Sequence, residues 1–522
     1  MTKPSQSSSD PEFPSAIAAR QHSATPWLAG LSLLLLLLAT TWPALYNGQP
    51  FFFVDTITYV KGADAGVYKL SGWQSVWTEA DTLAATTRSA EPMAEHQTQP
   101  GQADNTAARD KPTVLAGRSI YYGALLYLGD AIGGFWFTVV VQGALFLAAI
   151  GLTLVNFGAF SLGRFAVIVL ALSILTPAAF YNSYLMPDLF AGLTILAAAN
   201  LVVFARQMPN SQRIFWYTLL TLAILFHSSH LLIAGAIVAA AVLWKLIRRS
   251  AVSWVAITIM LVAMLTGALG EALFGFAVRH LTDSTPIRPP FVMARLIADG
   301  PGHEFLKARC PDREFVICDY MDRLPTLNSD VFLWADDPAL GVFTPESDER
   351  KQALSDEQFR FAAAVIAHDP ISYIQSALTS IWSQLSLFGL SEFNYSDIQM
   401  NRFRDRLPEP HHSRLLRSPA AQQTMPTTAL TTVVYVIAFV TLMWWVFSLL
   451  RRREACLASR PALFAAVVIW GILANALICG LLSTPHDRYQ ARVIWLLPAM
   501  ILIFEASAVF ARQHKLITAR KA

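Results

Sequence analysis

A few short clusters in this 522-residue chain hold the side chains that can do chemistry. Asp55 sits in Phe51-Phe52-Phe53-Val54-Asp55-Thr56-Ile57-Thr58-Tyr59, a carboxylate set among aromatic rings. Asp188 follows Tyr184-Leu185-Met186-Pro187, and His227 and His230 flank two serines. Arg279-His280 ends another apolar run, and residues 483–492 carry His486, Asp487, Arg488 and Arg492. A carboxylate can take the proton from an attacking hydroxyl. Two arginines four residues apart face the same way on a helix and suit an anionic oxygen group better than lysines do. This inventory fits group transfer from a phosphate: the arginines neutralise the departing phosphate while the carboxylate serves as base. The sequence has no G-x-x-x-x-G-K-[ST] loop, no G-x-G-x-x-G after a strand and no G-x-S-x-G elbow, so nothing in it marks a nucleotide site or a serine nucleophile.

The elements that must carry these residues are apolar. Hydrophobic residues make up 54% of the chain and charged ones 14%, with a mean hydropathy of +0.43. Soluble domains carry about 25% charged residues. Leu33 to Leu38 is an unbroken run of leucines, and several windows of about 20 residues lack any charge, the length of a membrane span. A soluble enzyme, a nucleic-acid binder and a disordered scaffold are excluded. The fold class expected is an all-α polytopic membrane protein of about ten transmembrane helices: 27–45, 135–157, 165–181, 188–205, 214–230, 231–247, 252–276, 428–450, 461–482 and 493–511. The run from Trp27 to Leu45 ends without a small-residue cleavage site and reads as an uncleaved first span.

The net charge of +3 is too small to call for an anionic polymer, but the placement of the charges is informative. With the N-terminus in the cytoplasm, the inner segments hold sixteen Lys and Arg, from Lys3 to Lys521, and the short outer loops hold two, Arg488 and Arg492. Positive charge collects on the cytoplasmic side, so both termini are expected there. The chain then divides into a cytoplasmic tail (1–26), a transmembrane module (27–276) with a long first outer loop (46–134), an outer domain (277–427), the last helices (428–511) and a second tail (512–522). From Thr78 to Thr113 the first loop lacks bulky apolar residues and is expected to be mobile. The outer domain contains Trp334, Trp382, Phe305, Phe332 and Tyr320, with helical periodicity over Ser355–His368 and Ile371–Leu390. An α-rich domain lying near the membrane surface, between helices seven and eight, is expected, with Trp334 and Trp382 in its core. Cys310 and Cys318, with seven residues between them, fall in it and should pair in an oxidising compartment; the alternative is two reduced thiols. Cys456 and Cys479 should stay unpaired.

All of the chemistry-bearing clusters fall on the outer face, where polar and ionisable groups at span ends tend to mark function. Each also has a bland alternative. Asp188 could cap a helix N-terminus. His227 and His230 could hydrogen-bond at the interface, a reading preferred over a metal pair. The arginines could anchor lipid headgroups, and Asp55 could be a turn residue.

The pattern resembles the GT-C superfamily of membrane glycosyltransferases, which use polyprenyl- or dolichyl-phosphate sugars. The matching features are an acid soon after the first span, Val54-Asp55-Thr56-Ile57-Thr58-Tyr59, many spans and a folded outer domain. The resemblance implies Asp55 as general base and Arg488 with Arg492 as the clamp on the donor phosphate. Arg118, in Gly117-Arg118-Ser119-Ile120-Tyr121-Tyr122-Gly123, resembles the Arg-aromatic start of the helix that follows the mobile loop and would assist the clamp. Asp188, His227, His230, His486 and Asp487 form a supporting polar cluster. No metal is required; an optional Mg2+ or Mn2+ would need Asp55 with Asp188 or a histidine.

The function expected is transfer of a sugar from a polyprenyl-phosphate donor to an envelope glycan, lipid or protein at the outer leaflet of a bacterial inner membrane. A polymerase or ligase of lipid-linked oligosaccharides is the second reading and a transporter or flippase the third. Transport predicts ionisable residues at mid-bilayer and broken helices in both halves; Glu271 and Glu505 are the main charges inside spans. No internal repeat and no nucleic-acid partner is indicated.

Overall fold

A computed structural model of the chain describes residues 26–78, 118–247, 252–282, 287–312, 314–451 and 459–521. Most of the stretch expected to be mobile lies outside these residues, as does Cys456. The described residues are helical and contain no strand beyond a single parallel bridge between Phe51 and Tyr184.

The first module runs α1 (Pro26–Thr40), α2 (Trp42–Asn47), α3 (Val54–Ser71), α4 (Ile120–Gly133), α5 (Trp136–Asn156), α6 (Leu162–Leu175), α7 (Ala178–Asn182), α8 (Leu189–Phe204), α9 (Asn210–Phe226), α10 (Ser228–Ile247) and α11 (Trp254–Thr282). The middle segment holds α12 (Phe291–Ala298), α13 (Pro301–Arg309), α14 (Ser329–Trp334), α15 (Asp348–His368), α16 (Pro370–Ser386), α17 (Asp397–Arg406) and α18 (Glu409–Leu416). The chain closes with α19 (Thr427–Arg451), α20 (Arg460–Leu482), α21 (Asp487–Ile494) and α22 (Leu496–Lys521).

Each of the ten segments expected to span falls on helix, and six helices are long and apolar enough to cross a membrane. The other four are shorter for local reasons. Thr176 is forced into an extended conformation (φ −135°, ψ 166°) by the proline that follows, which ends α6 and starts the short α7. The first segment breaks at Thr41, where Pro43 enters the first turn of α2. At 16 and 17 residues, α8 and α9 measure about 24–26 Å, less than the hydrocarbon core of about 30 Å.

The core centres on α8, which is buried nearly all round because Ala191, Gly192, Ala197, Ala198 and Ala199 let its neighbours approach closely. Gly192 lies against the indole of Trp495, where an added Cβ would sit 2.7 Å from the ring. Trp495 is fully buried and its Nε1 donates to the Arg492 carbonyl at 2.9 Å, so it has no room to retreat. Gly192→Ala is therefore expected to cost about 1–3 kcal/mol, read as a lower thermal midpoint in detergent micelles. An unchanged midpoint would contradict this packing.

The segment 277–427 does not fold around one core. Residues from Ile287 to Val365, including Phe305, Phe332 and Phe361, build a separate apolar cluster, which the Cys310–Cys318 disulfide closes at a Cα separation of 5.2 Å. Leu390, Phe393, Tyr395, Phe403, Leu407 and Leu415 instead join the core of the bundle. Trp334 packs partly into the smaller cluster as expected, whereas Trp382 is 72% exposed and belongs to neither core.

Candidate functional site

The site is assembled where the chain after α2 meets the chain after α7. Phe51 N–H donates to the Ser183 carbonyl and Leu185 N–H to the Phe51 carbonyl, both at 2.9 Å. Thr56 Oγ1 accepts from Phe53 N–H at 2.9 Å and donates to the Leu185 carbonyl at 3.0 Å. These bonds register the start of α3, and Asp55 with it, against the start of α8, and Asp188 with it. Gly123 lets α4 press directly on the Tyr59 carbonyl, which fixes the other side of α3.

Asp188 stands at the head of α8 yet caps nothing; its side chain makes no bond to the helix N–H groups. Its Oδ1 instead faces Arg492 Nη1 at 3.3 Å and Arg488 Nε at 3.6 Å. All three side chains are almost excluded from solvent, at 2%, 3% and 10% exposure. Arg492 Nη2 donates to Asn475 Oδ1 at 3.0 Å and approaches Cys479 Sγ at 3.3 Å, both from α20. Arg488 lies over the Phe53 ring at 4.3 Å and beside Tyr489 at 5.1 Å. After these contacts two buried donors have no hydrogen-bond partner among the described residues, Arg488 Nη1 and Arg492 Nε. Asp188 is the carboxylate that contacts the two guanidinium groups, and Glu392 acts on Arg488 from further away. Burying an ion costs several kcal/mol unless it is paired, which makes this arrangement one that an anion stabilises.

Asp55 pairs with Arg118 at 2.7 Å, each one-fifth exposed. Burial opposes the charge on Arg118, and the Asp55 carboxylate more than offsets that opposition, holding the guanidinium above its usual range. The Trp334 ring of α14 lies 5.7 Å from the same guanidinium, so the smaller cluster reaches the site through this contact. The charges of Arg118, Asp55, Asp188 and Arg488 all act on the hydroxyl of Tyr59, one turn beyond Asp55 on α3. His227 is likewise within the fields of Arg492, Arg118 and Arg488. Asp55, Arg118, Asp188, Arg488 and Arg492, five of the charged groups singled out in the sequence, thus lie in one neighbourhood, and Asp487 does not join them.

The histidines are held by local bonds. His227 Nδ1 accepts from Ser229 N–H at 3.2 Å and contacts its hydroxyl at 2.8 Å, while His230 Nδ1 meets the Ala223 carbonyl at 2.6 Å. Their rings are 5.4 Å apart. His486 and Asp487 point elsewhere: His486 Nε2 pairs with Asp330 Oδ2 at 2.9 Å, and Asp487 accepts from Gly389 N–H at 2.8 Å and Ser391 Oγ at 2.9 Å. They dock the middle segment onto α21 and do not face the nest.

The donor set suits an anion better than a divalent cation. Among the described residues no three His, Cys, Asp or Glu converge, and both Asp55 and Asp188 already face arginines. A cation there would lie against three guanidinium groups.

Asn475, Cys479, Phe53, Tyr59 and Trp334 belong to the site and were not among the site residues expected from the sequence. Asn475 had a usable signal, as the one carboxamide in the otherwise apolar run 461–482. A cavity of about 420 Å³ shares none of these residues. It opens at the other end of the bundle between Asn156, Phe204, Gln212 and Arg460.

Fold and site together define an all-helical, multi-pass membrane protein with a buried, arginine-rich polar site. Searches among family models, curated proteins and solved structures find no match for the chain.

Proposed function

We propose that this protein is an inverting membrane glycosyltransferase of the GT-C kind. It takes a sugar from a polyprenyl-phosphate donor and transfers it to an envelope glycan, lipid or protein. In this reading all ten apolar segments reside in a bacterial inner membrane, both termini are cytoplasmic and residues 277–427 face the periplasm. The observation that carries it is the pair of orphaned buried donors, Arg488 Nη1 and Arg492 Nε, beside the Asp55–Arg118 pair.

The acceptor hydroxyl attacks the anomeric carbon as the bond from that carbon to the phosphate oxygen breaks. The hydroxyl proton passes to an Asp55 oxygen and the polyprenyl phosphate leaves with the electron pair. Its oxygens collect the free donors of Arg488 and Arg492, which are already desolvated and need no reorganisation. Arg118 must give up Asp55 as the acceptor arrives, and its contact with Trp334 offers it a second resting place.

Binding of radiolabelled polyprenyl phosphate to the purified protein tests the clamp. Arg488→Gln keeps a polar side chain of intermediate length and removes the charge and the orphaned donor. The account expects affinity to fall about 10–100-fold, equivalent to about 1.4–2.8 kcal/mol. Equal affinity in both proteins would remove Arg488 from the phosphate site.

A further inference from the structure

The helix α16 has an apolar face that none of the described residues covers. Ile371, Ile374, Leu378 and Trp382, spaced three or four residues apart, form one stripe and are 53–72% exposed. Ser380 and Gln384, on the opposite side, are buried. From Pro370 to Ser386 the helix carries no charged residue. A water-facing helix of that composition would be a liability, since contiguous exposed apolar surface marks an interaction site.

The contacts of α16 fix its depth. An added Cβ at Gly480, two residues before the end of α20, would lie 3.0 Å from the Ser380 carbonyl oxygen. Tyr435 Oη donates to the Ser386 carbonyl at 2.8 Å and accepts from Phe388 N–H at 3.2 Å, and the Phe388 and Tyr435 rings stack at 4.1 Å. Tyr435 lies eight residues, about 12 Å, beyond the start of α19, a helix long and apolar enough to cross a membrane. The exposed residues Val436, Phe439 and Val440 follow at once on α19. The C-terminal half of α16 therefore stands level with the lipid-facing belt of α19, and its apolar stripe continues that belt.

We propose that α16 is an interfacial membrane helix. It lies in the leaflet at the domain end of the bundle, with Ile371, Ile374, Leu378 and Trp382 toward the lipid acyl chains. Its occupant is the bilayer that the spans cross, not a protein. The buried side of the helix then ties the lipid surface to the site. Gln384 Nε2 donates to the His486 carbonyl at 2.9 Å and Gln384 Oε1 accepts from His486 N–H at 3.1 Å, immediately before the helix that bears Arg488 and Arg492.

The test uses full-length protein in vesicles of phosphatidylethanolamine and phosphatidylglycerol. A benzophenone amino acid, p-benzoylphenylalanine, replaces Ile374, Leu378 or Trp382 in turn, and Glu349, an exposed position on α15, serves as control. Benzophenone inserts into C–H bonds and does not consume itself on water, so an adduct reports what touches it. After illumination, mass spectrometry should find phospholipid adducts at the three stripe positions about ten-fold above the control. A cross-linked dimer at these positions would overturn the proposal in favour of a second copy of the chain. Adduct yields no higher than at Glu349 would show that the stripe faces water, which also overturns it. All three positions are exposed, so the substitutions leave the core intact, and elution of each variant as wild type in size-exclusion chromatography verifies that.

Discussion

Asp55→Asn is expected to abolish sugar transfer and leave the fold standing. Asparagine keeps the shape of the side chain and an oxygen toward Arg118, so the 2.7 Å contact survives in neutral form. The pair is one-fifth exposed on both sides, and ion pairs with solvent access contribute about 1 kcal/mol or less. The proton acceptor, however, is lost, and removal of a general base lowers the rate by about 10²–10⁴-fold. Thermal unfolding and turnover measured on the same preparation separate the two effects. A variant that unfolds readily, or one that turns over as wild type, would show that Asp55 is a structural partner of Arg118 and no more.

The second large effect is on stability. Arg492→Met leaves Asp188 buried with only Arg488 at 3.6 Å to oppose it and leaves Asn475 Oδ1 without its donor. A buried acceptor left without its donor costs about 1–3 kcal/mol, and the Asp188 carboxylate loses its nearer guanidinium besides. The single variant should express poorly or melt well below wild type. Adding Asp188→Asn takes from the buried Arg488 guanidinium the carboxylate it contacts, so the double variant should be no more stable than the single and should bind no polyprenyl phosphate. Two observations would contradict this account: a single variant as stable as wild type, or a double variant that still binds the lipid phosphate.

The sequence makes much of this legible because the membrane imposes a strong rule. Charged groups at span ends are expensive, so Asp188, Arg488 and Arg492 stand out, and their four-residue spacing already puts the two arginines on one face of α21. The same helix explains why their neighbours went astray. Asp487 is one residue from Arg488 and points about 100° away around the axis, so it turns to Gly389 and Ser391 of the middle segment. Sequence proximity to a site residue is a poor guide on a helix. The contact between Asp55 and Arg118 joins positions sixty-three residues apart, across a stretch with no periodic pattern to predict it. Trp382 misled for a different reason: an aromatic on an amphipathic helix suits a protein core and a lipid interface equally, and only the contacts of Ser380 and Ser386 decide between them. The breaks at Thr41 and Thr176, each set by a single proline, split the expected segments 27–45 and 165–181, which the sequence reading had left continuous.

The most direct test of the central claim is turnover in proteoliposomes. Wild type and Asp55→Asn are given a panel of radiolabelled polyprenyl-phosphate sugars with an extract of envelope acceptors, and release of polyprenyl phosphate is followed. Release from at least one donor by wild type, and its loss in Asp55→Asn, is the predicted result. No release from any donor, with Asp55→Asn indistinguishable from wild type in cells, would contradict the transferase reading.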